Sequence, residues 1–375
     1  MRILVHEFVS GGGFGARPVP ASLAREGAAM RAALLADLAA LPGLELAATA
    51  DARLGVRTPP GVRVLPPAAG ADFRRLVEDA DAVWLVAPET HGTLARLAAV
   101  VERAATRLLG PGAAAIRRAS DKRALARRLA AAGVPVPETR VLADADFAGA
   151  GTERLSSTGT DAKRRSSTGM DADAKRLSGA GTDAEALGYP VVVKPARGAG
   201  CDGVGLARDA GELRRAVAAA RRAAGGGAVL LQRYVAGVAA SVSLVGDGCH
   251  AVPLAVNAQR VRAGLPFRYA GGETPLRHPL ASRAAERAVA ACAALPGLLG
   301  YVGVDVVLTG EDAVVVEVNP RLTTAYLGLR RALGVNPAEI ALAACLGTLP
   351  EAPPRAVRRV RFTAGGAARA AEVPA

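Results

Sequence analysis

The stretch VVVKPARGAGCDGVG, residues 191–205, determines how the rest of the chain is interpreted. Its valines predict a buried strand, and Lys194 and a glycine-rich loop come at the end of that strand. Gly198, Gly200 and Gly203 have the G-x-G-x-x-G spacing of a dinucleotide-binding loop. The same residues also suit a flexible flap that closes over the phosphates of a nucleotide held by Lys194.

The residues after the loop distinguish these two interpretations. A dinucleotide fingerprint needs a helix that opens at its last glycine, because the helix N-terminus meets the pyrophosphate. Here the segment after Gly203, VGLARD, is short and strand-like, and the next helical pattern starts only near Glu212. The order strand, glycine loop, strand therefore favours an ATP-binding flap. An NAD-dependent oxidoreductase is the alternative that this order disfavours.

A second pattern, GVDVVLTGEDAVVVEVNP at residues 303–320, predicts a β-hairpin. Strand alternation places Glu317 and Asn319 on one face, and a turn centred on Glu311 brings Asp305 opposite Glu317. Two carboxylates and an amide oxygen among buried valines need a cation, and hard oxygen ligands suit Mg²⁺ that bridges phosphates. The hairpin is therefore predicted to carry a metal site.

Two further features fit a nucleotide site. Lys122 comes from a separate helical pattern, so that it and Lys194 can neutralise different phosphates. The segment VLLQRYVAG, residues 229–237, predicts a strand that ends in a turn, where backbone groups pair with an adenine edge. The hinge residues in this prediction are Gln232, Arg233, Tyr234 and Val235.

The first part of the chain alternates strand and helix patterns, which predicts a parallel sheet covered by helices. The whole segment 92–109 is expected to be helical. A glycine cluster, residues 11–15, follows the first strand at the place where open α/β sheets bind ligands. It has neither a dinucleotide nor a phosphate-loop spacing, so a substrate loop and a simple turn both remain open. Glu7, Glu89 and His91 lie near predicted strand ends and are equally ambiguous.

The composition shifts along the chain predict four parts. Residues 1–110 form a Rossmann-like domain, 111–240 a first ligand-binding part with a lid, 241–350 a part with the metal site, and 351–375 a basic tail. Within the second part, residues 151–183 carry a degenerate polar repeat with almost no apolar residues. Such a segment cannot offset its ordering entropy by burial, and it is predicted to be a disordered insertion.

Composition also excludes several classes of protein. The net charge is +13, but the arginines are dispersed over helical patterns and aromatic residues make up only 3%, so no nucleic-acid partner is expected. The four cysteines lie far apart, which argues against zinc sites and disulfides. No uncharged stretch is long enough for a membrane span, and His6 and Glu7 interrupt the first apolar run. A cytoplasmic protein without a membrane partner is expected.

Taken in this order, the two lysines, the glycine loop, the hinge and the D…E-x-N hairpin resemble the ATP-grasp superfamily. The resemblance covers nearly the whole chain except the repeat and the tail. It implies an α/β plus α+β architecture, in which a Rossmann-like N-terminal domain precedes two subdomains that grip ATP.

The resemblance also implies roles for single residues. Lys122 and Lys194 bind phosphates, and the three loop glycines form the flap. Arg321, directly after EVNP, acts with Lys194 in catalysis by stabilising the transferring phosphoryl group. The implied ligands of Mg²⁺, or of Mn²⁺ in its place, are Asp305, Glu317 and Asn319. One departure is that Ala239 and Ala240 stand where many members carry a ribose-binding acid.

Four shorter motifs, MRILVHEFVSGGG, LAVNAQR, YAGGETP and EVNPRLTTAYLGL, resemble the tyramine–glutamate ligase group of methanofuran-type cofactor biosynthesis, a part of one-carbon metabolism. This resemblance implies an ATP-dependent ligase that joins a carboxylate to an amine through an acyl phosphate. The implied partners are small molecules, glutamate and tyramine or a related aromatic amine. Gln259, Arg260 and Arg321 are the expected substrate residues. For Phe267 and Tyr269, packing of the aromatic amine and a place in the local core both remain open. A ligase for another amino-acid or peptide pair is the alternative, and a homo-oligomer is left open.

Overall fold

The computed structural model describes residues 1–142 and 180–370. Most of the repeat that is predicted to be disordered, residues 151–179, lies outside this described part. In the described residues, no helix combines the length and the apolar composition that a bilayer crossing would require.

The N-terminal region is a five-stranded parallel sheet with the strand order β3-β2-β1-β4-β5. Its strands are β1 (Arg2–Glu7), β2 (Glu45–Thr49), β3 (Arg63–Leu65), β4 (Ala82–Val86) and β5 (Arg107–Leu108). Its helices are α1 (Ala21–Ala39), α2 (Gly70–Glu78) and α3 (Thr93–Arg103). The parallel sheet confirms the fold predicted from the alternating pattern, and its central strands β1 and β4 are almost wholly buried.

One boundary in this region differs from the prediction. Segment 92–109 is not a single helix, because α3 ends at Arg103 and the chain returns as the edge strand β5. Ala105 has a left-handed backbone conformation with φ 55°, which a continuing helix cannot contain. The Thr106 hydroxyl donates to the carbonyl of Val77 and fixes the reversal.

A smaller antiparallel sheet follows, with the strand order β6-β9-β7-β8. Its strands are β6 (Thr139–Leu142), β7 (Val191–Pro195), β8 (Gly205–Ala207) and β9 (Val229–Arg233), and they pack against α6 (residues 180–187) and α7 (Ala210–Ala224). The prediction of disorder is therefore wrong for residues 180–183, the last four of the predicted insertion. They are helical, Ala180 is fully buried in this core, and Asp183 pairs with Arg140 at 2.9 Å.

The largest sheet has seven antiparallel strands in the order β14-β13-β10-β11-β12-β15-β16. They are β10 (Val238–Asp247), β11 (Ala251–Arg262), β12 (Arg268–Thr274), β13 (Leu299–Leu308), β14 (Ala313–Asn319), β15 (Val360–Phe362) and β16 (Ala368–Ala370). The helices of this part are α4 (Ala113–Ser120), α5 (Lys122–Ala131), α8 (Ala281–Ala293), α9 (Tyr326–Leu333) and α10 (Pro337–Cys345).

The predicted tail, 351–375, is not a separate segment where the structure describes it. Val360 and Phe362 are buried, and their strand extends the large sheet beside β12. Residues 371–375 lie outside the described part. The boundary predicted at 240/241 falls inside β10, so the hinge and the large sheet are continuous.

The parallel sheet and the large sheet share one hydrophobic core. Leu34 and Trp84 of the N-terminal region pack in the same cluster as Tyr301, Tyr326 and Leu329. This continuity holds the carboxyl end of β4 against the segment that follows β14.

The hairpin of β13 and β14 contains a β-bulge. Near the turn, Val306 pairs with Val315, whereas the next pair in the ladder is Asp305 with Glu317. Val316 is the extra residue, and the core-facing Val315 and Val318 are three positions apart instead of two. The predicted pairing of Asp305 with Glu317 is thus confirmed, although the bulge and not the turn position produces it.

Candidate nucleotide and metal site

Two carboxylates lie across the hairpin. One Asp305 oxygen accepts a hydrogen bond from Gln259 Nε2 at 2.7 Å, and the other accepts one from Asn319 Nδ2 at 3.0 Å. Burial raises the pKa of Asp305 to about 6, and the neighbouring Glu317 adds to the rise. The two amides fix the Asp305 carboxylate, and the Asn319 amide oxygen is left available to another partner.

A lysine balances this negative charge. Lys122 is the first residue of α5, where the Asp121 side chain caps the helix. Its Nζ lies 3.0 Å from Glu317 Oε1 and donates to the carbonyl oxygen of Gly198 at 2.7 Å. Lys122 therefore joins the hairpin to the glycine loop, although 76 positions separate it from Gly198.

The second lysine approaches from the smaller sheet. Lys194 lies in β7, and only 4% of it is exposed. Burial lowers the pKa of Lys194 to about 8; Glu317 and Asp305 oppose this effect, and Lys122 adds to it. The ammonium is thus in electrostatic reach of both carboxylates. Two lysines and two carboxylates from four different elements converge in one place.

The glycine loop has an open part and an anchored part. At Gly198 an added Cβ would meet nothing closer than 3.9 Å, and at Gly200 nothing within 4 Å. At Gly203 it would lie 2.5 Å from Ala223 Cβ of α7, so this glycine lets the loop pack on the helix. The strand after the loop, β8, pairs antiparallel with β7, an arrangement that contradicts a dinucleotide fingerprint.

The predicted hinge lies at the end of β9. Gln232 is buried and donates to Thr139 Oγ1 at 2.9 Å, and Arg233 pairs with Glu138 at 2.9 Å. Tyr234 and Val235 follow the strand and are partly buried. The side chains of Gln232 and Arg233 and the backbone N–H groups of Arg233 and Tyr234 are therefore engaged within this part of the protein.

Arg321 has a partner that the sequence did not indicate. Its Nε and Nη2 donate to the two oxygens of Glu89 at 2.9 and 3.0 Å, and its Nη1 donates to the Leu322 carbonyl. Burial disfavours the guanidinium charge, but Glu89, together with Glu26 and Glu317, outweighs this effect and the pKa of Arg321 is raised. Glu89 follows β4 at the carboxyl edge of the parallel sheet, and this position is the only signal that could have identified it.

Arg260 is not brought to the carboxylates. It follows Gln259 in β11, but its Nη2 donates to the backbone carbonyls of Ala270 and Phe362 at 3.1 and 3.4 Å. Of the two neighbouring residues predicted for the substrate, Gln259 lies at Asp305 and Arg260 lies elsewhere. The role of Arg260 stays a prediction.

Hydroxyl groups line the sheet beside the hairpin, and no pattern in the sequence groups them as a set. The Tyr301 hydroxyl lies 2.8 Å from Ser243 Oγ and 3.2 Å from Thr323 Oγ1. The Tyr269 hydroxyl lies 2.7 Å from Thr324 Oγ1, and burial raises the pKa of Tyr269 far above its ordinary value. These groups are neutral at physiological pH and offer hydrogen bonds near Arg321.

The donor atoms at this place suit a divalent cation. In residues 1–142 and 180–370, no three His, Cys, Asp or Glu side chains form a metal-binding cluster, so the candidate set is two carboxylates with one amide. Partly buried carboxylates this close require positive charge, and oxygen ligands select Mg²⁺ over softer metals. Asp305, Glu317 and Asn319 fit that ion.

Comparison with known proteins identifies the family and the fold. Residues 119–325 match the model of the ATP-grasp domain, and residues 44–116 match that of the pre ATP-grasp 3 domain. A structure of a protein assigned to the ATP-grasp superfamily from Archaeoglobus fulgidus aligns with a TM-score of 0.65 at 23% identity, and it covers 96% of this chain and 92% of that one. An L-amino acid ligase from Bacillus licheniformis aligns with a TM-score of 0.62 at 16% identity, over 96% of this chain and 78% of that one.

Among curated proteins, tyramine–L-glutamate ligase from Methanocaldococcus jannaschii is 38% identical over 103 residues. That match spans 27% of this chain and 32% of the relative, so about a third of the relative's length is covered. The ATP-grasp domain model, in contrast, matches more than half of the chain and includes Lys122, Lys194, Asp305, Glu317 and Asn319. The chain belongs to the ATP-grasp superfamily.

Proposed function

We propose that this protein is an ATP-dependent ligase that joins a carboxylate to an amine. The observation that carries the proposal is the convergence of Lys122 and Lys194 on the Asp305–Glu317 hairpin beneath an open glycine loop. A triphosphate needs cations, backbone N–H groups and a hard metal ion in one place. These residues supply that combination.

In the proposed reaction, a carboxylate oxygen of the acid attacks the γ-phosphorus of ATP. The bond from that phosphorus to the β,γ-bridging oxygen breaks, and an acyl phosphate and ADP result. The amine nitrogen then attacks the acyl carbon, phosphate leaves, the amide forms, and the nitrogen loses a proton. The protein positions these groups and neutralises their charges.

The residues of this chain divide these tasks. Lys122 and Lys194 bind phosphate oxygens, and the backbone of the glycine loop covers them. Asp305, Glu317 and Asn319 would hold Mg²⁺, which neutralises charge on the phosphates when it is bound. Arg321 offers its guanidinium to the transferring phosphoryl group and to the oxygens of the acyl phosphate.

We further propose that the acid is glutamate, acting through its γ-carboxylate, and that the amine is tyramine or a related aromatic amine, within methanofuran- or methylofuran-type cofactor biosynthesis. Support comes from the partial similarity to tyramine–L-glutamate ligase. Tyr269, held by Thr324 beside the site, provides an aromatic surface for the amine. Gln259 and Arg321 are the candidate groups for the acid.

The test combines purified protein with ATP and Mg²⁺ and a matrix of amino acids and amines, and measures ADP release together with the mass of the amide. Hydroxylamine in place of the amine traps the acyl phosphate as a hydroxamate. We expect ADP and the γ-glutamyl amide with glutamate and tyramine. If ADP is released only with a different acid–amine pair, the substrate assignment is wrong but the protein is still a ligase. If no pair leads to ADP release, the proposed ligase activity is wrong.

A further inference from the structure

Glu89 of the N-terminal domain is only 3% exposed. The role inferred for it rests on the proposed function, in which Arg321 contacts the transferring phosphoryl group. Glu89 does not face the hairpin lysines; both of its carboxylate oxygens accept from Arg321. The question is what this contact does for the guanidinium.

The contact uses one edge of the guanidinium and leaves the other edge partly free. A guanidinium has five N–H groups, and the hydrogen bonds in the described residues use one on Nε, one on Nη2 and one on Nη1. One N–H remains on each terminal nitrogen. Such N–H groups can donate to oxygens of a phosphoryl group or a carboxylate.

The charges around Arg321 explain why it needs a partner. Glu89 acts on its guanidinium most strongly, and Glu26 of α1 and Glu317 of the hairpin also act on it. Without Glu89, the guanidinium would be drawn toward the remaining carboxylates, and one of these, Glu317, is a candidate metal ligand. A strong partner on the opposite domain keeps Arg321 away from that position.

We propose that Glu89 is a positioning residue, which holds Arg321 by its Nε–Nη2 edge so that its free N–H groups face the transferring phosphoryl group. The N-terminal domain thereby takes part in the chemistry of the ATP-grasp site. It does so through the guanidinium and without contacting the substrate.

A second ion pair between the same two regions provides a matched control. Asp37 of α1 accepts from Arg330 Nη1 and from the Tyr326 hydroxyl, both at 2.7 Å. This pair joins α1 to α9, and the Arg330 side chain is 45% exposed. It resembles the Glu89 pair as an interdomain contact, but Arg330 has no place in the proposed reaction.

The experiment measures kcat, KM for ATP and thermal unfolding for Glu89→Gln, Glu89→Asp and Asp37→Asn. We expect Glu89→Gln to lower kcat by about 10²-fold, as is typical when a catalytic group is misplaced, with little change in KM for ATP. Glu89→Asp keeps the charge, so it should fold as the wild type does and lose less activity. Asp37→Asn should lower the unfolding temperature and leave kcat unchanged.

A double-variant cycle separates positioning from stability. In an Arg321→Ala background, Glu89→Gln should cause no further loss of kcat, because its effect passes through the guanidinium. Independent losses in the cycle, an unchanged kcat in Glu89→Gln, or an equal loss in Asp37→Asn would overturn the proposal.

An NMR measurement tests the contact without turnover. The Nε–H signal of Arg321 should be protected from exchange in the wild type and in Asp37→Asn, and it should lose that protection in Glu89→Gln. Unchanged protection in Glu89→Gln contradicts the role of Glu89. A wild-type protein that releases no ADP with any acid–amine pair contradicts the proposed ligase instead, so the two failures are distinguishable.

Discussion

Two glycine-rich loops follow strands of this protein, and they use glycine for different reasons. In the first loop, a Cβ at Gly11 would lie 2.5 Å from the backbone carbonyl oxygen of Glu7 and would overlap the Thr49 hydroxyl. In the second loop, a Cβ at Gly198 would meet nothing closer than 3.9 Å. The first loop needs glycine for close packing, and the second has free space around it. Glycine content alone therefore does not identify a ligand loop.

The groups at the start of each loop differ in the same way. His6 precedes the first loop and Lys194 precedes the second, and both are buried. Burial lowers the pKa of His6 to about 4, and it lowers the pKa of Lys194 to about 8. At pH 7, His6 is therefore neutral and belongs to the packed interior, whereas Lys194 still carries a charge for a ligand.

The largest expected effect is a loss of activity when the positive charge before the second loop is removed. Lys194→Ala should reduce ADP formation by at least about 10²-fold while the protein remains folded, because a cation at the phosphates is lost. Initial rates of ADP release and a thermal unfolding curve measure the two properties. Arg208→Ala, which removes an exposed cation just after β8, is the control and should leave the rate unchanged. A wild-type rate of ADP release in Lys194→Ala would contradict the assignment of the second loop to the nucleotide site.

The second largest expected effect is a loss of stability at low pH, which the buried His6 causes. The unfolded chain takes up a proton near pH 6.5, and the folded chain only near pH 4. Stability is therefore complete above pH 6.5, and it should fall by about 3 kcal/mol as the pH drops to 4. Denaturant unfolding across this range should show a smaller loss for His6→Gln than for the wild type. His250→Gln, at a side chain that is 82% exposed, should keep the wild-type slope.

A methyl group added to the packed loop should also destabilise the protein. Gly11→Ala is expected to lower the free energy of unfolding by about 1–3 kcal/mol, because the backbone of Glu7 cannot move away. Chemical denaturation measures this change. A variant as stable as the wild type would show that the first loop is as open as the second.

The smallest effect belongs to the open loop. Gly198→Ala should change the free energy of unfolding by less than about 0.5 kcal/mol, since the new methyl group meets open space. KM for ATP should rise, because the added group lies in the flap. A strong destabilisation, or an unchanged KM for ATP, would contradict the distinction between the two loops.

Local patterns predicted much of this molecule. Valine alternation and the turn residues identified the hairpin that carries Asp305 and Glu317, and the strand-like segment after Gly203 disfavoured a dinucleotide loop. These features depend on residues close together in the chain. For the same reason, the alternating pattern of the first 110 residues was enough to predict a parallel sheet.

Contacts between distant segments were not predictable. The Glu89–Arg321 pair joins positions 232 residues apart, and no periodicity links them. Arg260 follows Gln259 in β11, so strand alternation turns its side chain to the opposite face, and the backbone carbonyls of Ala270 and Phe362, which only the fold brings there, accept from it. The strand at 360–362 was missed because three residues are too few for a period, and only the exposed edge of β12 makes them a strand.

The bulge at Val316 has a consequence for how the length of this hairpin can vary among related genes. If one codon were lost there, Val315 would still pair with Val306, and Glu317 would still face Asp305, in an unbroken ladder. The same loss between Glu317 and Asn319 would turn the amide to the opposite face and remove it from Asp305. We therefore expect related genes to tolerate the loss of the codon for position 316. The loss of the codon for position 318, only two positions later, should be selected against.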